Sequence, residues 1–119
     1  MATTTTVYVD EDTWLDGENE DDNYSSSATM TLGQQASGFS SGERANGVLK
    51  FDLSAFSDAS LISSATFKLA YAGGAGGSGT RSVYVYRLTQ HFTEDEATWN
   101  VASAGEPWDG ASPGGASDV

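Results

Sequence analysis

The chain of 119 residues has no cysteine, two prolines, one histidine and only five lysines and arginines. Each scarcity excludes something. Without thiols there is no disulfide, no thiolate metal site and no thiol nucleophile. The lone His91 has no second imidazole with which to share a metal, and no Ser-His-acid spacing accompanies it, so it reads as a surface or strand-end residue. Against the five cations stand seventeen Asp and Glu, a net charge of -12 and a pI near 4.1. So few cations cannot neutralise a phosphate backbone or an anionic lipid surface, which removes nucleic acid and membrane from the partners. No run of eighteen apolar residues occurs, so no segment reads as a membrane-spanning helix. The opening Met1-Ala2-Thr3-Thr4-Thr5-Thr6 has neither the basic nor the apolar region of a secretion signal.

What the chain does have is Thr, Ser and Gly in abundance and apolar residues that alternate with period two, as half-buried strands do. Such runs span residues 5–9, 28–32, 48–53, 64–71 and 82–89. In the third, Leu49, Phe51 and Leu53 share the face expected to point inward. In the fourth, Ala65, Phe67, Leu69 and Tyr71 do so, with Lys68 on the other face. Asp16-Gly17 and Asn46-Gly47 are turn signals, and the glycines of 73–79 suit a hairpin loop. Residues 54–59 and Glu94-Asp95-Glu96-Ala97 each suit one helical turn, the latter with Thr93 as N-cap. Short strands with frequent turns predict an all-β, antiparallel β-sandwich or jelly roll. One domain over 1–119 is expected, with 1–6 an N-terminal arm and 110–119 a loop-like tail.

Eight of the seventeen acids fall between Asp10 and Asp22. Carboxylates closely spaced on turns are hard oxygen ligands, and Asp10, Asp12, Asp16 and Asp21 form the candidate set for calcium. The EF-hand pattern fails: with Gly17 at its glycine, Trp14 and Asn23 stand where acids are needed. A solvated acidic loop is the ordinary alternative. Glycoside hydrolysis needs two carboxylates flanking the bond, and Asp52 with Glu94 or Glu96 is the pairing to consider. Asp52 more simply accepts backbone hydrogen bonds at a strand end. No catalytic constellation emerges, so the chain reads as a non-enzyme.

Aromatic faces stack on the C–H patches of sugar rings. Tyr84 and Tyr86 share one face of their run opposite Val83 and Val85, and one of the two pairs is expected to face the core. With Trp14 and Trp108 they make a candidate glycan platform, or an interface between subunits, where such residues are also enriched. Lys68, Arg87 and Lys50, on neighbouring strands if those pair, would form a basic spot, with a cross-strand salt bridge to Asp52 as the ordinary reading. Trp99 reads as a core or corner residue.

Six phrases stand in a fixed order: Asp12-Thr13-Trp14, Asn23-Tyr24-Ser25, Leu49-Lys50-Phe51-Asp52-Leu53-Ser54, Ser64-Ala65-Thr66-Phe67-Lys68-Leu69, Val83-Tyr84-Val85-Tyr86-Arg87-Leu88 and Thr98-Trp99-Asn100. Together, over roughly residues 7 to 108, they resemble the DNRLRE domains, a family of extracellular β-sandwich modules. The resemblance implies a sandwich fold. It also implies carbohydrate binding as one function, since the family includes modules for acidic polysaccharides such as alginate. Those modules continue past the Thr-Trp-Asn phrase with further strands, so neighbouring chains, oligomerisation or additional residues are expected to complete the fold.

Two functions follow as expectations. The first is a virion structural protein, a capsid decoration, spike or fibre component at the virion surface, completed by neighbouring subunits or as a homo-oligomer. The second is an extracellular carbohydrate-binding module whose partner is a polysaccharide. A filament subunit completed by strand donation from residues 3–9 is a third.

Overall fold

The structure, a computed structural model, describes residues 3–33, 44–73, 80 and 82–109. Every strand pairing in it is antiparallel, and the one helical element is a 3-10 turn at Ala59–Leu61, so the fold is all-β. Strand β1, Val9–Asp16, pairs with β2, Ala45–Phe51. Strand β3, Val101–Ser103, pairs with β4, Glu106–Pro107. The β3–β4 connection is Ala104-Gly105, and Gly105 supplies the positive φ of 74° that such a turn asks of glycine. Among the described residues no helix is long and apolar enough to cross a membrane.

The β1–β2 register places Thr13 opposite Val48. Both are buried, with Leu15 beside them, and Phe92, Ala97, Ala102 and Trp108 close over this group. Leu88 and Trp99 pack against its edge. Burying Leu15 or Val48 is worth about 2 kcal/mol apiece. The other side of the ribbon is closed by a different device. A Cβ on Gly47 would lie 2.6 Å from Met30 Sδ and 2.8 Å from Leu32 Cδ2. Met30 and Leu32 thus occupy the space that glycine leaves open.

Several expected elements lie elsewhere. The strand expected over 5–9 begins at Val9 and runs through the acidic segment to Asp16. What admits Glu11 to a strand is its opposite number: Lys50 faces it across the ladder and forms an ion pair with it. The cross-strand partner of Lys50 is therefore Glu11. Asp52 instead accepts from the Ser54 N–H at 2.9 Å, the strand-end role expected of it. Asn46 and Gly47, read as a turn, are inside β2. The inward face of β2 is that of Val48; Leu53 is 56 % exposed. The runs 28–32, 64–71 and 82–89 form no ladder with described residues beyond single bridges. The tail 110–119, and the glycine loop apart from Gly73, lie outside the described residues.

Candidate functional site

Two surfaces carry the residues singled out above, and they are built differently. The first is the acidic loop after β1. Asp16, almost fully buried, is its hub. Its carboxylate accepts from the Glu18 N–H (2.9 Å), Asn19 Nδ2 (2.9 Å) and the Tyr24 hydroxyl (2.8 Å). Burial pushes the Asp16 carboxyl up, but these hydrogen bonds together outweigh it and hold it below the ordinary aspartate value. Burial, then the Asp16 hydrogen bond and charge, push the Tyr24 phenol up to about 12. The Tyr24 ring stacks on Trp14 with centroids 3.9 Å apart.

The rest of the loop is tied to residues 93–101. Asn23 Nδ2 donates to the carbonyls of Glu94 (2.8 Å) and Ala97 (2.7 Å), and its Oδ1 accepts from the Ser25 N–H (3.0 Å). The Asp12 N–H donates to Glu94 Oε1 (3.0 Å), and Asn100 Nδ2 donates to Asp21 Oδ1 (2.9 Å). On the far side, Thr98 Oγ1 accepts from the N–H groups of Asn100 and Val101. The Thr98 carbonyl accepts from Trp108 Nε1 at 2.9 Å. The turn at 94–96 forms as expected, closed by bonds from the N–H groups of Glu96 and Ala97 to the Thr93 carbonyl. Thr93 does not cap it, because its hydroxyl bonds Ser103 at 2.9 Å.

These contacts reassign several candidates. Of the expected calcium set, Asp16 spends its oxygens on loop donors and Asp21 accepts from Asn100. Among the described residues no three His, Asp or Glu side chains gather closely enough to hold a metal ion. The four aspartates therefore do not come together as a ligand set, Asp16 and Asp21 being held by these hydrogen bonds. Trp108, expected on a glycan platform, is 7 % exposed and part of the core, because its indole N–H has the Thr98 carbonyl to satisfy it there. Trp14 is half-buried under Tyr24. Trp99 fills the corner expected of it, with its ring atoms 3.1 Å from where a Gly17 Cβ would stand.

The second surface is the stretch 62–73 with 82–87. Tyr71, Tyr84 and Tyr86 are 85, 75 and 52 % exposed, and Lys68 and Arg87 are exposed beside them in sequence. Neither tyrosines nor valines face the core, for Val83 and Val85 are exposed as well. Phe67 makes an aromatic contact, edge-to-face with Phe51, the ring centroids 6.0 Å apart. His91 is exposed, as expected. The composition of this stretch holds a signal not used above. All seventeen acids lie before Ala59 or after Thr93, whereas Lys68, Arg81 and Arg87 lie between them. On a chain of net charge -12, the exposed tyrosines stand in a segment whose formal charges are all positive.

The sequence model of carbohydrate-binding module family 96 matches residues 3–110, and the chain belongs to that family. The match shows the carbohydrate-binding family that the resemblance implied, while the DNRLRE assignment remains a resemblance. No curated protein and no solved structure matches the chain.

Proposed function

We propose that this protein is a non-catalytic, extracellular module that binds an acidic polysaccharide through the surface of Tyr84, Tyr86, Lys68 and Arg87. The observation that carries the reading is the coincidence of exposed tyrosines with a segment whose formal charges are all positive on an otherwise acidic chain. A tyrosine ring offers a flat apolar face to a sugar ring and a hydroxyl to its substituents. Cations beside it select carboxylated or sulfated sugars, and the acids elsewhere repel them from the rest of the surface. Family membership supports this reading over a virion structural role.

The test is affinity electrophoresis in gels containing alginate or, in parallel, a neutral glucan. Retardation by alginate alone is expected. Replacing Tyr84 and Tyr86 together by Ala should weaken binding about tenfold or more, each stacked ring being worth about 1 kcal/mol. Equal retardation by the neutral polymer would remove the cations from the site. No retardation by either would remove the reading.

A second role is supported by exposed apolar residues in and beside the same runs. Val83, Val85, Leu69 and Leu61 are half or more exposed, and large apolar side chains left at a surface are material for protein contact. A neighbouring subunit or a second copy is the proposed partner there. Light scattering at micromolar concentration should show an oligomer; a monodisperse monomer would exclude self-association.

A further inference from the structure

Asn23-Tyr24-Ser25 is the chain's one Asn-x-Ser/Thr triplet, the acceptor pattern for N-linked glycan transfer. In that reaction the carboxamide nitrogen bonds to the anomeric carbon of a lipid-diphosphate-linked oligosaccharide. The bond from that carbon to the diphosphate breaks, the diphosphate leaves, and the nitrogen gives up one proton. The modified side chain keeps a single N–H.

The folded chain uses both. One Nδ2 hydrogen is given to the Glu94 carbonyl and the other to the Ala97 carbonyl, at 2.8 and 2.7 Å, while Oδ1 accepts from the Ser25 N–H. A glycosylated Asn23 could serve only one carbonyl, and the sugar would stand where the other is. The partners are 71 and 74 residues away in sequence, so the clamp exists only once the chain has folded. In the unfolded chain the same amide is open.

We infer that N-glycosylation at Asn23 and closure of the 94–97 turn onto the acidic loop exclude one another. A glycan added to the unfolded chain keeps the loop from being tied down, and the folded chain is not an acceptor. The phrase is a fold lock written in the letters of a modification site, independent of what the module binds.

Two variants separate the sugar from the clamp. Ser25→Ala destroys the acceptor pattern and keeps the clamp, because the Ser25 bond to Asn23 uses backbone N–H. Asn23→Gln destroys both. The full chain is made in a bacterial host that does not glycosylate and in an N-glycosylating secretory host. The glycosylated wild type is expected to lack the cooperative melt of the bacterial protein, whereas Ser25→Ala from the secretory host retains it. Asn23→Gln from bacteria should melt lower than wild type without any sugar. In vitro, an oligosaccharyltransferase with its lipid-linked donor should modify folded wild type about tenfold or more slowly than a synthetic peptide of residues 19–29, since only local opening frees the amide. A glycosylated chain that melts like the bacterial protein, or a folded chain modified as fast as the peptide, would overturn the inference.

Discussion

The acidic loop with its 93–108 partner and the stretches 62–73 and 82–87 are both rich in aromatic and apolar residues, yet they are used in opposite ways. In the first, the key polar side chains are spent on other groups of the chain: Asn23 on two carbonyls, Asp16 on three donors, Trp108 on Thr98. In the second, apolar side chains alternate as in a strand but stand exposed on both faces. The difference separates residues that make the fold from residues left over to meet something else. It also shows that part of the acidity is structural, since Glu94, Asp16, Asp21 and Glu11 all hold hydrogen bonds or ion pairs within the fold.

The contrast can be broken by substitution, and the effects should fall in a definite order. Trp108→Ala opens the core and orphans the Thr98 carbonyl, and should cost about 4 kcal/mol in urea unfolding followed by circular dichroism. Asp16→Ala leaves the Glu18 N–H, Asn19 and Tyr24 without their acceptor, and should cost about 3 kcal/mol. The same carboxyl predicts an acid limb. Its value is lower folded than unfolded, so its contribution is complete above the ordinary 3.8 and is lost as pH falls through the folded value. Tyr24 predicts the alkaline counterpart: its contribution is complete below 10.0 and lost as pH rises toward about 12. Gly17→Ala brings a Cβ to 2.8 Å from the Arg44 carbonyl oxygen and 3.1 Å from the Trp99 ring. That overpacking should cost about 2 kcal/mol. Tyr84→Ala with Tyr86→Ala should leave stability within about 0.5 kcal/mol of wild type. A loss comparable to that of Trp108→Ala would erase the distinction between the two regions.

How far the sequence carried depended on whether the decisive neighbour was local. The strand around Val48 was legible because β-formers alternate there, and Asp52 and Trp99 took their expected roles. The face of β2 was not legible, since Leu49, Phe51 and Leu53 outnumber Val48 in apolar bulk while the register to Thr13 decides which side is covered. Gly47 was misread for a related reason. Its glycine answers the close approach of Met30 and Leu32, which lie some fifteen residues earlier, and not a turn. The acidic run read as loop because charge disfavours strands, yet Lys50 across the ladder reverses that preference at Glu11. Of the candidate site, Tyr84, Tyr86 and Lys68 stayed at the surface, whereas Asp16 was claimed by neighbours in its own loop and Asp21 and Trp108 by Asn100 and Thr98.

The bond from the Asp12 N–H to Glu94 has a bearing on behaviour in a crowded solution. A strand margin with idle amide groups invites a strand from another molecule, and that is how sheets grow without limit. At Asp12 the amide is already occupied, and by a side chain whose charge would repel an approaching acidic copy of the same protein. Glu94 thus acts as a chaperone built into the chain, guarding one point of the margin against fibrous aggregation.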